Sequence, residues 1–164
     1  MKGLLAGVLA VSVLLAGCGF KLRGEQNFAF ESISVNAPQA GPVANELRRA
    51  LGSRLRDGVL PPGGAASQVT LDVISEQREK TVVGVNAAGQ VREFQLRIRV
   101  NFKLRSAEGK ELIAENEILQ QRDISFNESA SLAKEAEEGL LYRDMQNDIV
   151  RQVLRRLAAV TVVR

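Results

Sequence analysis

One cysteine and no histidine in 164 residues set the chemistry open to this chain. Without histidine, Ser-His-Asp and Cys-His catalysis and most zinc sites are excluded. A lone cysteine makes no intramolecular disulfide. Cys18 follows Ala16 and Gly17, two residues small enough to thread a narrow peptidase site. No phosphate loop is present: Gly63-Gly64 lacks a following Lys-Ser/Thr, and Gly84 and Gly89 form no fingerprint. Glu135, Glu137 and Glu138 cluster at helical spacing and read as a solvated face. Nothing resembles a paired-carboxylate hydrolase site, and the chain reads as a non-enzyme with no metal or dissociable cofactor. Arg97, Arg99, Lys103 and Arg105 share one parity of an alternating run. They either keep a sheet face soluble and unstacked or meet an anionic partner, since guanidinium suits bidentate phosphate contact. No aromatic residue interleaves with them, which argues against a single-strand nucleic-acid platform. The net charge of +3 is too mild and too spread for a nucleic-acid-binding domain.

The residues before Cys18 form a leader. Lys2 supplies a positive start, and Leu4 to Leu15 is apolar apart from Gly7 and Ser12. That run falls short of the roughly 20 residues a membrane helix needs and has the size of a signal-peptide core. It ends in Leu15-Ala16-Gly17-Cys18, which resembles the lipobox of bacterial lipoproteins. The resemblance implies that residues 1–17 are removed and that Cys18 carries N-acyl and S-diacylglycerol lipid. Each buried methylene contributes about 0.8 kcal/mol, so several chains anchor essentially permanently. Gly19 stands where Asp commonly retains such proteins in the inner membrane, which implies transfer to the outer membrane.

The remainder reads as one domain. Aromatics are 4%, with no Trp, so the core must be Leu, Val, Ile and Ala. Residues 18–30 read as a lipidated start and tether, and residues 31–160 as the folded unit. Ile33 and Val35 alternate in a short strand, and Pro38, Gly41 and Pro42 turn the chain. Val43, Leu47, Leu51 and Leu55 recur every four residues, which predicts an amphipathic helix from Val43 to Asp57, ended by Gly58. Pro61-Pro62-Gly63-Gly64 is a loop. From Val69 the period becomes two and holds one parity through Leu71, Val73, Ser75, Gln77 and Glu79 to Val85, predicting a long strand. Asn86 to Gly89 form the hairpin tip. Phe94, Leu96, Ile98, Val100, Phe102 and Leu104 then alternate with polar residues, the signature of a half-buried strand. Glu108-Gly109 leads to a third long strand, ending near Ile124. Leu132, Ala136, Leu140, Leu141, Met145, Ile149, Val153 and Leu157 trace one stripe of a last helix, with Asn127 or Ser129 as its cap. This order predicts an α+β two-layer sandwich: two helices on one face of a four-stranded, mostly antiparallel sheet.

Two segments carry a further resemblance. Cys18-Gly19-Phe20-Lys21-Leu22-Arg23-Gly24 and Glu138-Gly139-Leu140-Leu141-Tyr142-Arg143-Asp144-Met145-Gln146-Asn147-Asp148, with Gln152 and Arg156-Leu157 beyond, resemble the start and last helix of the LptE family of LPS-assembly lipoproteins. The resemblance implies an outer-membrane protein seated as plug and assembly partner inside the LptD β-barrel, contacting lipopolysaccharide on its way to the outer leaflet. In that family a lysine near the start of the last helix is tied to lipopolysaccharide contact, and Lys134 in Ser131-Leu132-Ala133-Lys134 matches it. A second basic position lies at the hairpin tip in relatives. Here the tip holds no cation, and Arg92 is the nearest substitute. The alternative is a periplasm-facing lipopolysaccharide-binding lipoprotein that acts without a barrel, which requires a concave apolar pocket.

Overall fold

The structure, a computed structural model, describes residues 27–37, 41–56 and 66–161. The leader, Cys18, the tether up to residue 26 and Gly58 lie outside the described residues. The elements are β1 (Ile33–Asn36), α1 (Pro42–Leu51), β2 (Val69–Val85), β3 (Val91–Ser106), β4 (Glu111–Ser125) and α2 (Ser131–Ala158), with 3-10 turns at Gly52–Arg54 and Glu128–Ala130. The sheet order is β1-β2-β3-β4. β1 runs parallel to β2, and the other pairs are antiparallel. This is the expected α+β sandwich.

β3 organises the core because its alternation gives one fully apolar side. Leu96, Ile98, Val100, Phe102 and Leu104 are fully buried. Val69, Leu71 and Val73 of β2 join them, as do Val43, Leu47 and Leu51 of α1 and Met145, Ile149, Val153 and Leu157 of α2. The packed body begins before β1. Phe30, within the segment the sequence assigns to the tether, is 2% exposed. Its ring stacks on Phe28 at 5.1 Å, and the Arg54 guanidinium lies 5.4 Å from the Phe28 ring.

Four expectations change. First, β2 does not keep one parity. A register shift between Val73 and Ser75 makes Ile74 an extra residue, and such a bulge turns the following side chains to the opposite face. Glu76, Arg78, Lys80 and Val82 therefore pair with Val100, Ile98, Leu96 and Phe94, on the helix side. Second, α1 ends at Leu51 rather than Asp57. Gly52 adopts φ 52°, and its N–H donates to the Arg48 carbonyl, a left-handed stop that favours glycine. Leu55 nonetheless reaches the core in extended chain, bridging Ile33 in parallel while Arg56 N–H donates to the Ile33 carbonyl at 2.8 Å. Third, the stripe on α2 is buried only in its later turns. Leu132 is 81% and Leu140 55% exposed, because the sheet beneath the early turns presents Arg78 and Lys80 instead of aliphatic side chains. Fourth, Asn127 accepts from Ser129 N–H and so caps the 3-10 turn leading into α2 rather than α2 itself.

The bulge also supplies a cap across the fold. The N-terminus of α1 has Gly41 as its N-cap and no side-chain cap of its own. The Glu76 carboxylate fills that role from β2, accepting from Val43 N–H at 3.1 and 3.2 Å. Burial pushes the Glu76 carboxyl above its ordinary pKa, opposed by the Val43 and Ala44 backbone N–H groups. Gly41 makes room for it, since a Cβ there would lie 2.0 Å from Glu76 Oε2.

Two stability measurements test this packing. Gly41→Ala and Glu76→Ala should each lower stability by about 1 kcal/mol, the usual worth of a helix cap. The double variant should cost little more than either one, as read by urea unfolding. Phe102→Ala should cost about 3–5 kcal/mol, and a cost below 1 kcal/mol would contradict its place at the centre of the core.

Candidate interaction surfaces

The helices cover one face of the sheet, which leaves the other open and lined by polar side chains. Alternation in β3 brings Arg97, Arg99, Lys103 and Arg105 to this open face, as the sequence predicts, but the neighbouring strands decide their state. Arg105 grips Asp72 of β2 through Nε at 2.6 Å and Nη2 at 3.0 Å. Asn36 of β1 donates to the same carboxylate at 2.9 Å. Asp72 is 6% exposed. The Arg105 hydrogen bond holds its carboxyl below the ordinary range against the opposing effect of burial, with help from Asn36, the Arg105 charge and Lys103. Arg99 Nε lies 3.6 Å from Glu117 of β4, an ion pair without a hydrogen bond. Arg97 and Lys103 form no ion pair among the described residues. They stand six residues apart on an extended strand, roughly 20 Å, too far to clasp one phosphate. The four cations are therefore a divided set: two committed to carboxylates and two separate.

The two other candidates meet at one end of the molecule. The β2–β3 turn, the end of β4 and the start of α2 come together there, because Glu93 pairs with Ser125 and Phe126 N–H donates to the Arg92 carbonyl at 2.7 Å. Arg92 Nη2 donates to Gln90 Oε1 at 3.2 Å. Lys134 Nζ donates to Ser125 Oγ and to Glu137 Oε2, both at 2.9 Å. An open cleft of about 690 Å³ is lined by Gln90, Val91, Arg92, Phe126, Asn127, Glu128 and Ser129. Arg92 borders this cleft. Lys134 is tethered to Ser125, one residue before Phe126, and is not part of the lining. Val82, Val83, Val85 and Leu132 expose between 46% and 81% of their surface in the elements meeting at this end.

A cluster absent from the sequence reading stands beside it. Lys80 Nζ bonds Glu138 Oε2 at 2.6 Å and lies 4.4 Å from the Phe94 ring centre. The Arg78 guanidinium lies 5.1 Å from the Tyr142 ring centre, and Tyr142 Oη donates to the Glu79 carbonyl at 3.0 Å. These residues fix the early turns of α2 to β2. The bulge at Ile74 hid them, because an unbroken parity assigns Arg78 and Lys80 to the open face. Among the described residues, no group of three acidic, cysteine or histidine side chains is placed to hold a metal ion. No helix among them is long and apolar enough to cross a membrane.

The α+β sandwich is shared with bacterial lipoproteins of known structure. Uncharacterized lipoprotein B from Nitrosomonas europaea superimposes with a TM-score of 0.70 at 36% identity, covering 86% of this chain and 91% of that one. The rare lipoprotein B from Shewanella oneidensis shares the fold, with a TM-score of 0.63 at 20% identity, over 78% and 94% of the two chains. In sequence, the LPS-assembly lipoprotein LptE of Photorhabdus laumondii is 30% identical over 158 residues, spanning 93% of this chain and 84% of that protein. Its namesake from Yersinia pestis is 28% identical over 163 residues, spanning 93% and 74%. The profile of the LptE family, Lipopolysaccharide-assembly, matches residues 30–157. The chain belongs to the LptE family, a family of lipopolysaccharide-assembly lipoproteins and not of enzymes.

The Asp72–Arg105 pair carries a pH signature. A carboxyl held below its unfolded pKa stabilises the fold above that unfolded value, and the contribution is lost as pH falls through the folded value. Arg105→Met leaves burial as the dominant influence on Asp72. Its acid-unfolding midpoint, followed by circular dichroism, should therefore move to higher pH than that of the parent. Adding Asp72→Asn should cancel most of that difference. Identical midpoints for parent and Arg105→Met would show that the pair contributes nothing to acid stability.

Proposed function

We propose that this protein is the plug and assembly partner of an LptD-type β-barrel in the outer membrane, anchored by lipid on Cys18, and that it assists delivery of lipopolysaccharide to the outer leaflet. Membership of the LptE family carries a role in lipopolysaccharide assembly at the Gram-negative envelope. The single observation that carries the reading is the extent of the family match: residues 30–157 span nearly the whole packed body, from Phe30 of the core to Leu157 of α2. The surface is compatible with it. The lumen of an outer-membrane barrel is polar, and the open sheet face presents charged and hydrogen-bonding groups, most of them matched within the sheet. Lys134 and Arg92 are the residues proposed to meet lipopolysaccharide phosphate, since both present cations at the end where the cleft opens.

The acylated protein extracted in detergent should bring down one large β-barrel in stoichiometric amount, and cells depleted of it should hold that barrel misassembled. Lys134→Glu should weaken lipopolysaccharide binding while leaving barrel co-purification and the thermal midpoint nearly unchanged. Lipopolysaccharide binding with no barrel recovered would replace the plug reading with that of a free lipid-binding lipoprotein.

A further inference from the structure

The open backbone of β4 is the feature that the family reading leaves without a use. β4 is an edge strand of the sheet. Its pairing with β3 runs without a shift from Glu93↔Ser125 to Phe102↔Asn116, and the irregularities fall only in its first residues. Ten consecutive residues, Asn116–Ser125, thus form a regular edge. Among the described residues, the backbone of this run makes one hydrogen bond outside the β3 ladder, from the Arg122 guanidinium to the Gln121 carbonyl at 2.8 Å. Proteins usually blunt such edges with proline, charged side chains (lysine above all), a bulge or a cover. This run contains no proline, lysine or bulge, and its charges are Glu117, Arg122 and Asp123.

The side chains beside the edge select what can join it. On the open face, the row reads Glu117, Leu119, Gln121 and Asp123. Leu119 is 44% exposed. The face carries most of its charge in stripes along the strands: Asp72 and Glu79 on β2, four cations on β3 with Glu93 at the end nearest the β2–β3 turn, and Glu111, Glu117 and Asp123 on β4. The next stripe in this alternation is positive. Arg122, the one cation of β4, points to the helix side and lies 3.4 Å from Asp148 of α2. A second copy of β4 would bring Glu117 and Asp123 to this face with no cation to match them.

We propose that the Asn116–Ser125 edge is an acceptor for strand addition, and that its occupant is an extended basic segment of a partner polypeptide. Backbone hydrogen bonds supply the affinity in this mode, and alternate side chains supply the selection. The chemistry fixes a pattern in the incoming strand. Cations six residues apart stand opposite Glu117, which shares its charge with Arg99 on the inner side, and Asp123, which accepts from Gln95, and an apolar residue two positions inward from the first stands opposite Leu119. Opposite-charge pairs across neighbouring strands are favourable and like-charge pairs are not. The inference does not depend on the barrel reading, because the acceptor lies in this chain alone.

The test uses the acylated full chain in detergent and two synthetic ten-residue peptides of alternating Val and Thr. One carries Lys at the two positions six apart, and the other carries Glu there. Hydrogen–deuterium exchange is read in the peptic fragment covering residues 116–125. The lysine peptide should slow exchange in that fragment by about tenfold or more, the mark of newly paired edge amides, while the glutamate peptide should have little effect. Glu117→Lys combined with Asp123→Lys should invert the preference, with the thermal melt reporting that the variant folds. Equal protection by both peptides overturns the proposal, as does no protection or protection only elsewhere. Protection that rises with protein concentration in the absence of peptide assigns the edge to a second copy and overturns it too.

Discussion

One extra residue in β2 decides what each half of the sheet can touch. Before Ile74, odd-numbered side chains of β2 face the helices, and Val69, Leu71 and Val73 join the core. After it, even-numbered ones do, and they are Glu76, Arg78 and Lys80. The same layer therefore holds two kinds of adhesive. Near β1 it is aliphatic packing worth about 1.5–3 kcal/mol for each large buried side chain. Toward the β2–β3 turn it is a helix cap, a cation over a tyrosine ring and a lysine–glutamate pair. Such contacts at half-exposed positions are worth roughly 0.2–1 kcal/mol each.

That difference sets a gradient of local stability along α2. Its later turns are bound through Met145, Ile149, Val153 and Leu157, all fully buried. Its early turns are held through Tyr142, Glu138 and Lys134, each by polar contacts to a strand or its end. Segments with few buried apolar contacts open at lower free-energy cost than the core. Arg92 and Lys134 sit at this end, each held by side-chain hydrogen bonds. The end packed through aliphatic side chains and the end held through polar contacts are thus separated by the bulge.

Much of this architecture is legible in the sequence, and what is not has a common cause. Six alternating apolar residues from Phe94 to Leu104 announce β3 because one side of that strand is buried without interruption from Leu96 onward. The helix boundaries are less legible. The four-residue period runs from Val43 to Leu55, yet Gly52 breaks the helix and Leu55 arrives by a bridge to Ile33, so periodicity survives where the helix does not. The bulge is hidden in a similar way. Val69, Leu71, Val73, Val83 and Val85 keep one parity in sequence, and a second shift between Val82 and Gly84 again breaks the alternation. The site shows the same limit. The positions of Arg99 and Arg105 follow from β3 alone, but their neutralisation depends on Glu117 and Asp72, supplied by other strands. Likewise, only the closing of the β2–β3 turn against the end of β4 brings Arg92 and Lys134 to one end.

The charge stripes of the open face limit what could bind this surface. A basic sheet face that was simply unpaired would attract any anion and lose that attraction with salt. Here the carboxylates of Asp72 and Glu117 occupy the cations nearest to them, and Asn36 adds a hydrogen bond that Arg105 alone does not supply. Arg97 and Lys103, about 20 Å apart by strand geometry, hold the remaining positive charge as two isolated points. Such a face offers little to a diffusing ion. It favours an extended, structured partner whose charges fall at matching intervals, because only that partner meets both points and the acidic edge together. Complementarity of this type contributes specificity and register more than raw affinity.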